Sequence, residues 1–171
     1  MEKEPHLKLY RLKTDFSIER LHAIYYSEFS KDHVFAGEKH NFWEFMYVSR
    51  GVIYTSLEDL QFTLQTEEAI LIPPNQFHRV FGNGQNSSDV ITISFASDFK
   101  GFYDIAGKTL KTSQIIHTIL INIIGELGIK DTFTYKVNLF LQNKSNQPML
   151  HHAIKIYLEL LLIHLFRENV G

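Results

Sequence analysis

The 171-residue sequence contains no cysteine, which excludes disulfide bonds and thiolate ligands for metals. It also lacks a strong charge of either sign, because 17 Lys and Arg against 19 Asp and Glu leave a formal net charge of -2. A domain that wraps nucleic acid needs clustered Lys and Arg, so this balance argues against DNA binding by the chain itself. A cytoplasmic location is compatible with the absence of cysteine, and it is the location that we expect.

Long hydrophobic runs are also missing, since His, Lys or Glu interrupts each apolar stretch before it could span a bilayer. The amino-terminal stretch MEKEPHLKLYRLK mixes charged and apolar residues and lacks the features of a signal peptide. Hydrophobic residues make up 44% of the chain and charged residues 21%, as in ordinary globular domains. We therefore predict a single globular domain that does not bind membranes.

Most of the chain from residue 7 to residue 95 is patterned as short β-strands. Apolar residues alternate or form short runs between turn residues, and Tyr, Phe, Val, Ile and Thr dominate these segments. Many short strands in series, with no helical segment between them, favour an antiparallel sandwich or barrel. The predicted strands are LKLYRLK, LHAIYYSEF, FWEFMYVS, VIYTSL, LQFTLQ, AILIPP, FHRVF and VITISFAS.

The remaining sequence changes to helical spacing. KTSQIIHTILINIIGEL begins with Thr112 and Ser113, which suit a helix N-cap, although its many β-branched residues leave a strand as the alternative. A short helix is predicted from about Tyr135 to Leu141, followed by a long one in MLHHAIKIYLELLLIHLFREN. Because the long helix is apolar over most of its circumference, we expect one face on the sheet and another on a second protein.

The stretch GEKHNFWEFMYVSRG concentrates residues that can coordinate or bind a ligand. If HNFWEFMYV is a strand, its alternate residues from His40 to Val48 share one face, and Trp43, Phe45 and Tyr47 point to the opposite, core face. ILIPPNQFHRV then adds a late histidine. Polar and apolar side chains on one wall are typical of a small-molecule pocket. The predicted ligand-binding residues are Glu38, His40, Phe42, Glu44, Met46, His78 and Val80.

These residues resemble the two motifs of the cupin superfamily. His40, Glu44 and Gly51 fall at the intervals of the first motif, and Pro73 and His78 occupy places in the second.

The sequence also departs from the cupin pattern at three positions. Glu38 stands where the first motif has a histidine, Asn75 replaces the turn glycine, and Glu67 replaces an earlier glycine. The departures weaken the inference of a metal: we expect no bound cofactor, and if a metal does bind, His40, Glu44 and His78 are its expected ligands.

Over about Leu7 to Glu168 the sequence resembles the N-terminal sensing domain of AraC-type bacterial transcription regulators, on the segments HNFWEFMYVSRG, AILIPPNQFHRV and IKIYLELLLIHLFRE. The resemblance implies a mainly β fold with C-terminal helices: an antiparallel cupin-like (jelly-roll) β-barrel followed by two to three helices. It places effector binding in residues 1–100 and dimerisation in the helical residues 101–171 of the same structural domain. We find no helix-turn-helix segment in the sequence, so DNA contact is expected to need a domain outside it.

The last helix is expected to join two copies of the chain into a homodimer, both from its excess of apolar sides and from the resemblance. Its residues predicted to form that contact are Leu150, Ile154, Tyr157, Leu161, His164 and Leu165.

The sequence leaves three functions open. The first is a non-enzymatic module that binds a small effector and dimerises. The second is a metal-dependent cupin enzyme, a dioxygenase or isomerase, acting on a small molecule. The third is a purely structural dimerisation module with a filled barrel. The first is the function that we predict.

Overall fold

The computed structural model describes residues 7–132, 137–141 and 145–171. In these residues, nine β-strands form two antiparallel sheets and two α-helices follow them. The elements are β1 (Arg20–Phe29), β2 (Val34–Glu38), β3 (Trp43–Arg50), β4 (Val52–Leu57), β5 (Leu60–Gln65), β6 (Glu68–Ile72), β7 (His78–Gly82), β8 (Ser88–Ala96), β9 (Thr109–Lys111), α1 (Gln114–Glu126) and α2 (Leu150–Asn169), with a 3-10 helix at Lys100–Asp104.

The sheets have the orders β1-β8-β3-β6-β9 and β2-β7-β4-β5. Most neighbours are not consecutive in the sequence, so the chain crosses repeatedly from one sheet to the other. The described strands form two facing sheets and not one continuously hydrogen-bonded barrel. The predicted fold class, antiparallel β followed by helices, is confirmed.

Strand β3 separates two apolar cores. Trp43, Phe45 and Tyr47 are at most 1% exposed and pack with α1 and α2 on the outer side of the five-stranded sheet. Met46 and Val48, which alternate with them, pack against residues of the four-stranded sheet. The predicted alternation is therefore confirmed along this strand, and it produces a three-layer molecule: helices, five-stranded sheet, four-stranded sheet.

The first helix forms as predicted and not as the alternative strand. Helix α1 begins directly after Ser113, and its residues Ile116, Leu120 and Ile123 are fully buried against the sheet. Tertiary burial of this apolar stripe outweighs the low helix propensity of its β-branched residues.

Two secondary-structure predictions are wrong. Residues 7–13 form no strand, and Leu7, Leu9 and Leu12 are 88–101% exposed, because no described sheet edge of the chain pairs with this segment. The predicted short helix at 135–141 lies partly outside the described residues, and its described part, 137–141, forms a turn. There the side chain of Asn138 bonds to the backbone of β1, which replaces helical pairing.

Strands β2 and β9 were not predicted from the sequence. Both are short, and β2 is interrupted by a bulge, so neither shows a clear alternation. Among the described residues, no helix combines the length and the apolar character needed to cross a membrane.

Candidate functional site

Four side chains from different elements converge at one end of the space between the sheets. Glu38 ends β2, His40 lies in the connection to β3, Glu44 is in β3, and His78 begins β7. One nitrogen or oxygen atom from each of these residues lies within 4.8 Å of the others. Glu44 and His78 are almost fully buried, with side chains 7% and 1% exposed. We call these four residues the Glu/His cluster.

Backbone conformation at two residues with positive φ favours this convergence. Gly37, inside β2, has a φ of +117°, which L side chains rarely adopt, and a Cβ there would stand 2.3 Å from the ring of Phe77, the residue before β7, so this position favours glycine. Asn75 has a φ of +66°, and its N–H donates to the carbonyl of His40 at 2.7 Å. Asparagine tolerates this left-handed conformation, which explains how it can stand where cupins have glycine.

Both histidines of the Glu/His cluster are oriented by the backbone. The Nδ1 atom of His40 lies 3.0 Å from the carbonyl oxygen of Phe42, and that of His78 lies 3.1 Å from the carbonyl oxygen of Gln76. A carbonyl only accepts, so in a neutral ring Nδ1 carries the hydrogen and Nε2 carries a lone pair. The two Nε2 atoms therefore face the cluster as acceptors, and both are buried without a hydrogen-bond partner.

The distances within the Glu/His cluster are longer than hydrogen bonds. His40 Nε2 lies 3.4 Å from Glu44 and 3.8 Å from Glu38, and His78 Nε2 lies 3.6 Å from each carboxylate. The site therefore collects four acceptors, which require a proton or another cation between them. The four ligand atoms lie within 4.8 Å of one another, which is close enough for one cation placed among them to contact all four. The donor set thus fits a divalent metal ion.

The neighbouring carboxylates of the Glu/His cluster affect the pKa of His78. Burial alone lowers the pKa of His78, but the contact with Glu38 and the charge of Glu44 outweigh it, so the pKa is raised. Ser94, also buried, donates from Oγ to Glu44 Oε2 at 3.3 Å and so helps to orient that carboxylate.

A cavity of about 40 Å³ continues from the Glu/His cluster between the two sheets. Four of the predicted ligand-binding residues line it: Glu38, Glu44, Met46 and Val80. His40 and His78 close its end through the cluster. Phe42 lies away from it, stacked on His40 with ring centroids 3.9 Å apart and on His22 at 4.4 Å. It precedes β3, so strand alternation does not govern its direction.

Sequence reasoning missed the part of the cavity wall that β1, β2, β8 and the connection between β1 and β2 supply. In β1, Tyr25, Ser27 and Phe29 alternate, which is a readable signal, but the sequence does not show that this face turns toward Glu44. The missed lining residues are Tyr25, Ser27, Phe29, His33, Phe35 and Thr92.

The structure corrects the assignment of several dimer residues in α2. Leu150, Ile154, Leu161 and Leu165 are at most 9% exposed and belong to the core shared with the five-stranded sheet, so they are not available to a second chain. The sequence showed that the helix is apolar all round but not which side faces inward. Tyr157 and His164 are partly exposed at the edge of this core.

Comparison with known families supports the resemblance stated above. Residues 21–95 match the family described as AraC-like ligand binding domain, which confirms the resemblance over these residues. This stretch runs from β1 to β8 and contains the Glu/His cluster and the cavity wall. A comparison with curated protein sequences finds no significant match.

Solved structures similar to this chain include cupins. A cupin superfamily protein from Desulfitobacterium hafniense is 14% identical, with a TM-score of 0.42, over 56% of this chain and 84% of that one. A cupin 2 conserved barrel domain protein from Salinispora arenicola is 14% identical, with a TM-score of 0.40, over 55% and 87%. A recombinant oxalate oxidase in complex with glycolate is 18% identical, with a TM-score of 0.37, over 41% and 39%. Likenesses this weak decide nothing about activity.

Proposed function

We propose that this chain is the effector-sensing and dimerisation domain of a bacterial AraC-type transcription regulator, working in the cytoplasm without catalysis. The observation that carries the proposal is the part-polar cavity between the two sheets beside the Glu/His cluster, within the residues that match the AraC-like ligand binding domain. A regulator needs a site that recognises a small molecule and a surface that responds to it.

The size of the cavity suggests how a response arises. About 40 Å³ holds roughly three water molecules, whereas pockets for drug-sized ligands measure about 300–1,000 Å³. A sugar-sized effector therefore has to move the two sheets apart. An effector that binds only the separated arrangement shifts the protein toward it by its difference in affinity for the two arrangements.

Hydrogen bonds tie the cavity wall to α2. Lys155 Nζ donates to the carbonyl oxygen of Ile18 at 2.8 Å, and Glu159 Oε1 accepts from the N–H of Ile18 at 2.8 Å. Ile18 leads directly into β1, which lines the cavity with Tyr25 and Ser27. Lys155 and Glu159 therefore clamp Ile18 to α2. In our proposal, movement of β1 reaches α2 through this clamp.

We place the dimer contact on the outer side of α2. Ile156 and Leu160 are 50% and 38% exposed, and Ile163 is partly exposed one turn farther along. Apolar side chains at this spacing form a stripe that a second copy of the helix could cover in a two-fold arrangement.

A thermal-shift screen of sugars, amino acids and small organic acids tests effector binding. A compound at a hundred times its dissociation constant should stabilise the protein by about 2.7 kcal/mol, which is several degrees in Tm. Thr92→Val removes a cavity hydroxyl at nearly constant side-chain volume. This variant should bind the compound at least tenfold more weakly, as measured by calorimetry. Thr63→Val, on the exposed outer face of the other sheet, is the matched control. Equal binding by both variants would rule out this cavity as the effector site.

The second candidate is a metal-dependent cupin enzyme, and one observation favours a bound metal: two backbone-oriented histidine lone pairs facing two carboxylates. A divalent ion held by Glu38, His40, Glu44 and His78 would supply Lewis acidity toward a substrate oxygen. The carboxylate at position 38 makes the set richer in oxygen, which suits Mn or Fe better than Cu.

Elemental analysis of protein purified without a metal-affinity tag separates the candidates. A near-stoichiometric transition metal that is lost in Glu38→Gln but kept in Glu28→Gln, an exposed glutamate of β1, would favour the enzyme. Metal-free protein that still binds an organic effector would favour the sensor.

A further inference from the structure

The exposed amino-terminal segment has the pattern of a strand but pairs with no described strand of its own chain. We call residues 7–13 the arm. Its large apolar side chains include Leu9, 101% exposed, and Tyr10, 79% exposed. Soluble chains rarely leave several such side chains uncovered in one short stretch, so this exposure indicates a binding partner. The arm alternates as LKLYRLK, which suits pairing with the edge of a sheet.

Both edges of the five-stranded sheet are already covered by asparagine side chains. On β1, Asn138 accepts from the N–H of Ile24 at 3.2 Å and donates to the carbonyl of His22 at 3.1 Å. On β9, Asn169 makes the same pair of bonds with Lys111, at 3.2 and 3.0 Å. Each amide imitates the backbone of a neighbouring strand and blocks its edge at that point, and β9 has only three residues to offer, so these edges suit the arm poorly.

The four-stranded sheet ends on β2 at one side and β5 at the other. Strand β2 has five residues, and a bulge between Phe35 and Glu38 breaks its register, which makes it a poor template. Strand β5 pairs with β4 in an unbroken register along all six of its residues. Within the described part of the chain, β5 is the regular edge without a neighbouring strand on its outer side.

Charge complementarity connects the arm with β5. The exposed arm carries Lys8, Arg11 and Lys13, and contains no acidic residue. Acidic residues flank β5 at both ends: Glu58 and Asp59 before it, Glu67 and Glu68 after it. Opposite charges at the two ends favour a strand laid along this edge and disfavour association between two β5 edges.

The arm cannot lie along β5 of its own chain over its full length, because its end at Lys13 is tied to the position of Phe16. Phe16 is held on the helix side of the five-stranded sheet, with its ring 5.4 Å from Phe99 and 5.2 Å from Phe102. Three residue steps from Lys13 to Phe16 span at most about 10 Å. Strand β5 lies in the far sheet, two layer spacings or about 20 Å away.

We propose that the arm adds as an extra strand to the outer edge of β5 in a second copy of this chain. If each arm binds the β5 of the other copy, the contact is reciprocal and closes a two-fold dimer. This contact is independent of effector binding and of the helical contact on α2.

Because the chain has no native cysteine, cross-linking can test the contact directly. Protein carrying Leu9→Cys is mixed with protein carrying Thr63→Cys, a central exposed position of β5, and treated with a short bismaleimide. We expect a cross-linked dimer in this mixture. Replacing the second protein by Thr118→Cys, exposed on α1, should lower its yield at least tenfold.

A charge variant makes the test specific. Lys8→Glu, Arg11→Glu and Lys13→Glu together should reduce the cross-link at least tenfold, whereas the same reversal at the exposed Lys31, Lys100 and Lys130 should leave it unchanged. An equal yield with Thr118→Cys in place of Thr63→Cys, or an unaffected yield in the arm variant, would overturn the proposal. A third protein carries both Leu9→Cys and Thr63→Cys in one chain. If the link formed only within such a chain and never between two chains, the proposal would also be overturned.

Discussion

The two faces of β3 meet opposite surroundings, although their residues alternate along eight positions of one strand. On the helix side, Trp43, Phe45 and Tyr47 sit in the larger apolar core, where nearly every neighbour is a hydrocarbon. On the cavity side, Glu44 faces acceptor atoms and Met46 borders empty space. Apolar burial stabilises the fold on the first face. On the second face, two buried histidine nitrogens lack a hydrogen-bond partner, which costs desolvation energy that a bound cation or ligand would offset.

The largest effect is expected on the helix side. Phe45→Ala should lower the free energy of unfolding by about 3–5 kcal/mol, because it removes a fully buried ring and leaves a cavity between the sheet and the helices. Urea denaturation followed by circular dichroism measures it. If this variant does not fold, Phe45→Leu should still cost about 1 kcal/mol. A loss of unfolding free energy smaller than about 1 kcal/mol in both variants would contradict the assignment of the main core.

A smaller effect, which depends on pH in the alkaline range, is expected at Tyr47. Burial, with a smaller contribution from the charge of Glu67, raises the pKa of Tyr47 to about 12, and its hydroxyl lies 3.0 Å from His117 Nδ1. A raised folded pKa stabilises the fold fully below the unfolded value of about 10, and this contribution disappears as pH rises toward 12. The native protein should therefore lose up to about 2–3 kcal/mol in this window, and Tyr47→Phe should not.

The comparison of unfolding free energies at several pH values checks this. Near neutral pH, Tyr47→Phe should be about 1 kcal/mol less stable than the native protein because it loses the bond to His117. The difference should shrink or reverse above about pH 10. A constant difference up to about pH 11 would show that Tyr47 ionises without cost in the folded state.

Removing the bonds of Lys155 to the segment around Ile18 should lower the free energy of unfolding by a smaller amount. Lys155→Met keeps the aliphatic stem but removes the ammonium that bonds to Ser17, Ile18 and Glu19, at an expected cost of about 1–2 kcal/mol. Hydrogen exchange at the start of β1 should accelerate by tenfold or more. Lys130→Met, an exposed lysine beyond α1, serves as the control and should change neither quantity.

The smallest effect on stability is expected on the cavity side. In metal-free protein, Glu44→Gln should change the unfolding free energy by less than about 1 kcal/mol, because losing a buried charge among acceptors offsets losing its bond with Ser94. The same substitution should abolish any rise in Tm caused by added Mn²⁺ or Zn²⁺. A loss of several kcal/mol without metal would mean that the Glu/His cluster stabilises the fold like the helix-side core.

Period-two alternation made most of the β half predictable. It gave seven of the nine observed strands and the inward face of β3, because a strand between a core and a cavity must alternate. The same pattern failed at residues 7–13, since alternation states that a segment can pair but not that an edge is available. It also did not reveal β2, a five-residue strand whose alternation is broken by a bulge at Gly37.

Within the Glu/His cluster, the positions of Glu44 and His78 were predictable from spacing and resemblance, because Glu44 lies in a strand and His78 begins one. The remaining cavity wall was not, because β1 and β8 reach it only through sheet order. Likewise, the apolar residues of α2 were recognisable as buried, but most of those named for the dimer contact lie in the chain's own core. A helix that is apolar all round does not encode which side meets the sheet.

By itself, the sequence determined the class of the fold, the absence of thiol chemistry and the set of residue types available for a site, since these depend on composition and local periodicity. Only the tertiary structure decided that two histidines present their Nε2 atoms to two carboxylates, that α2 binds Ile18 through Lys155 and Glu159, and that β5 is a regular sheet edge without an outer neighbour among the described strands. Each of these depends on atoms brought together from distant parts of the chain, and local sequence patterns carry no information about such distances.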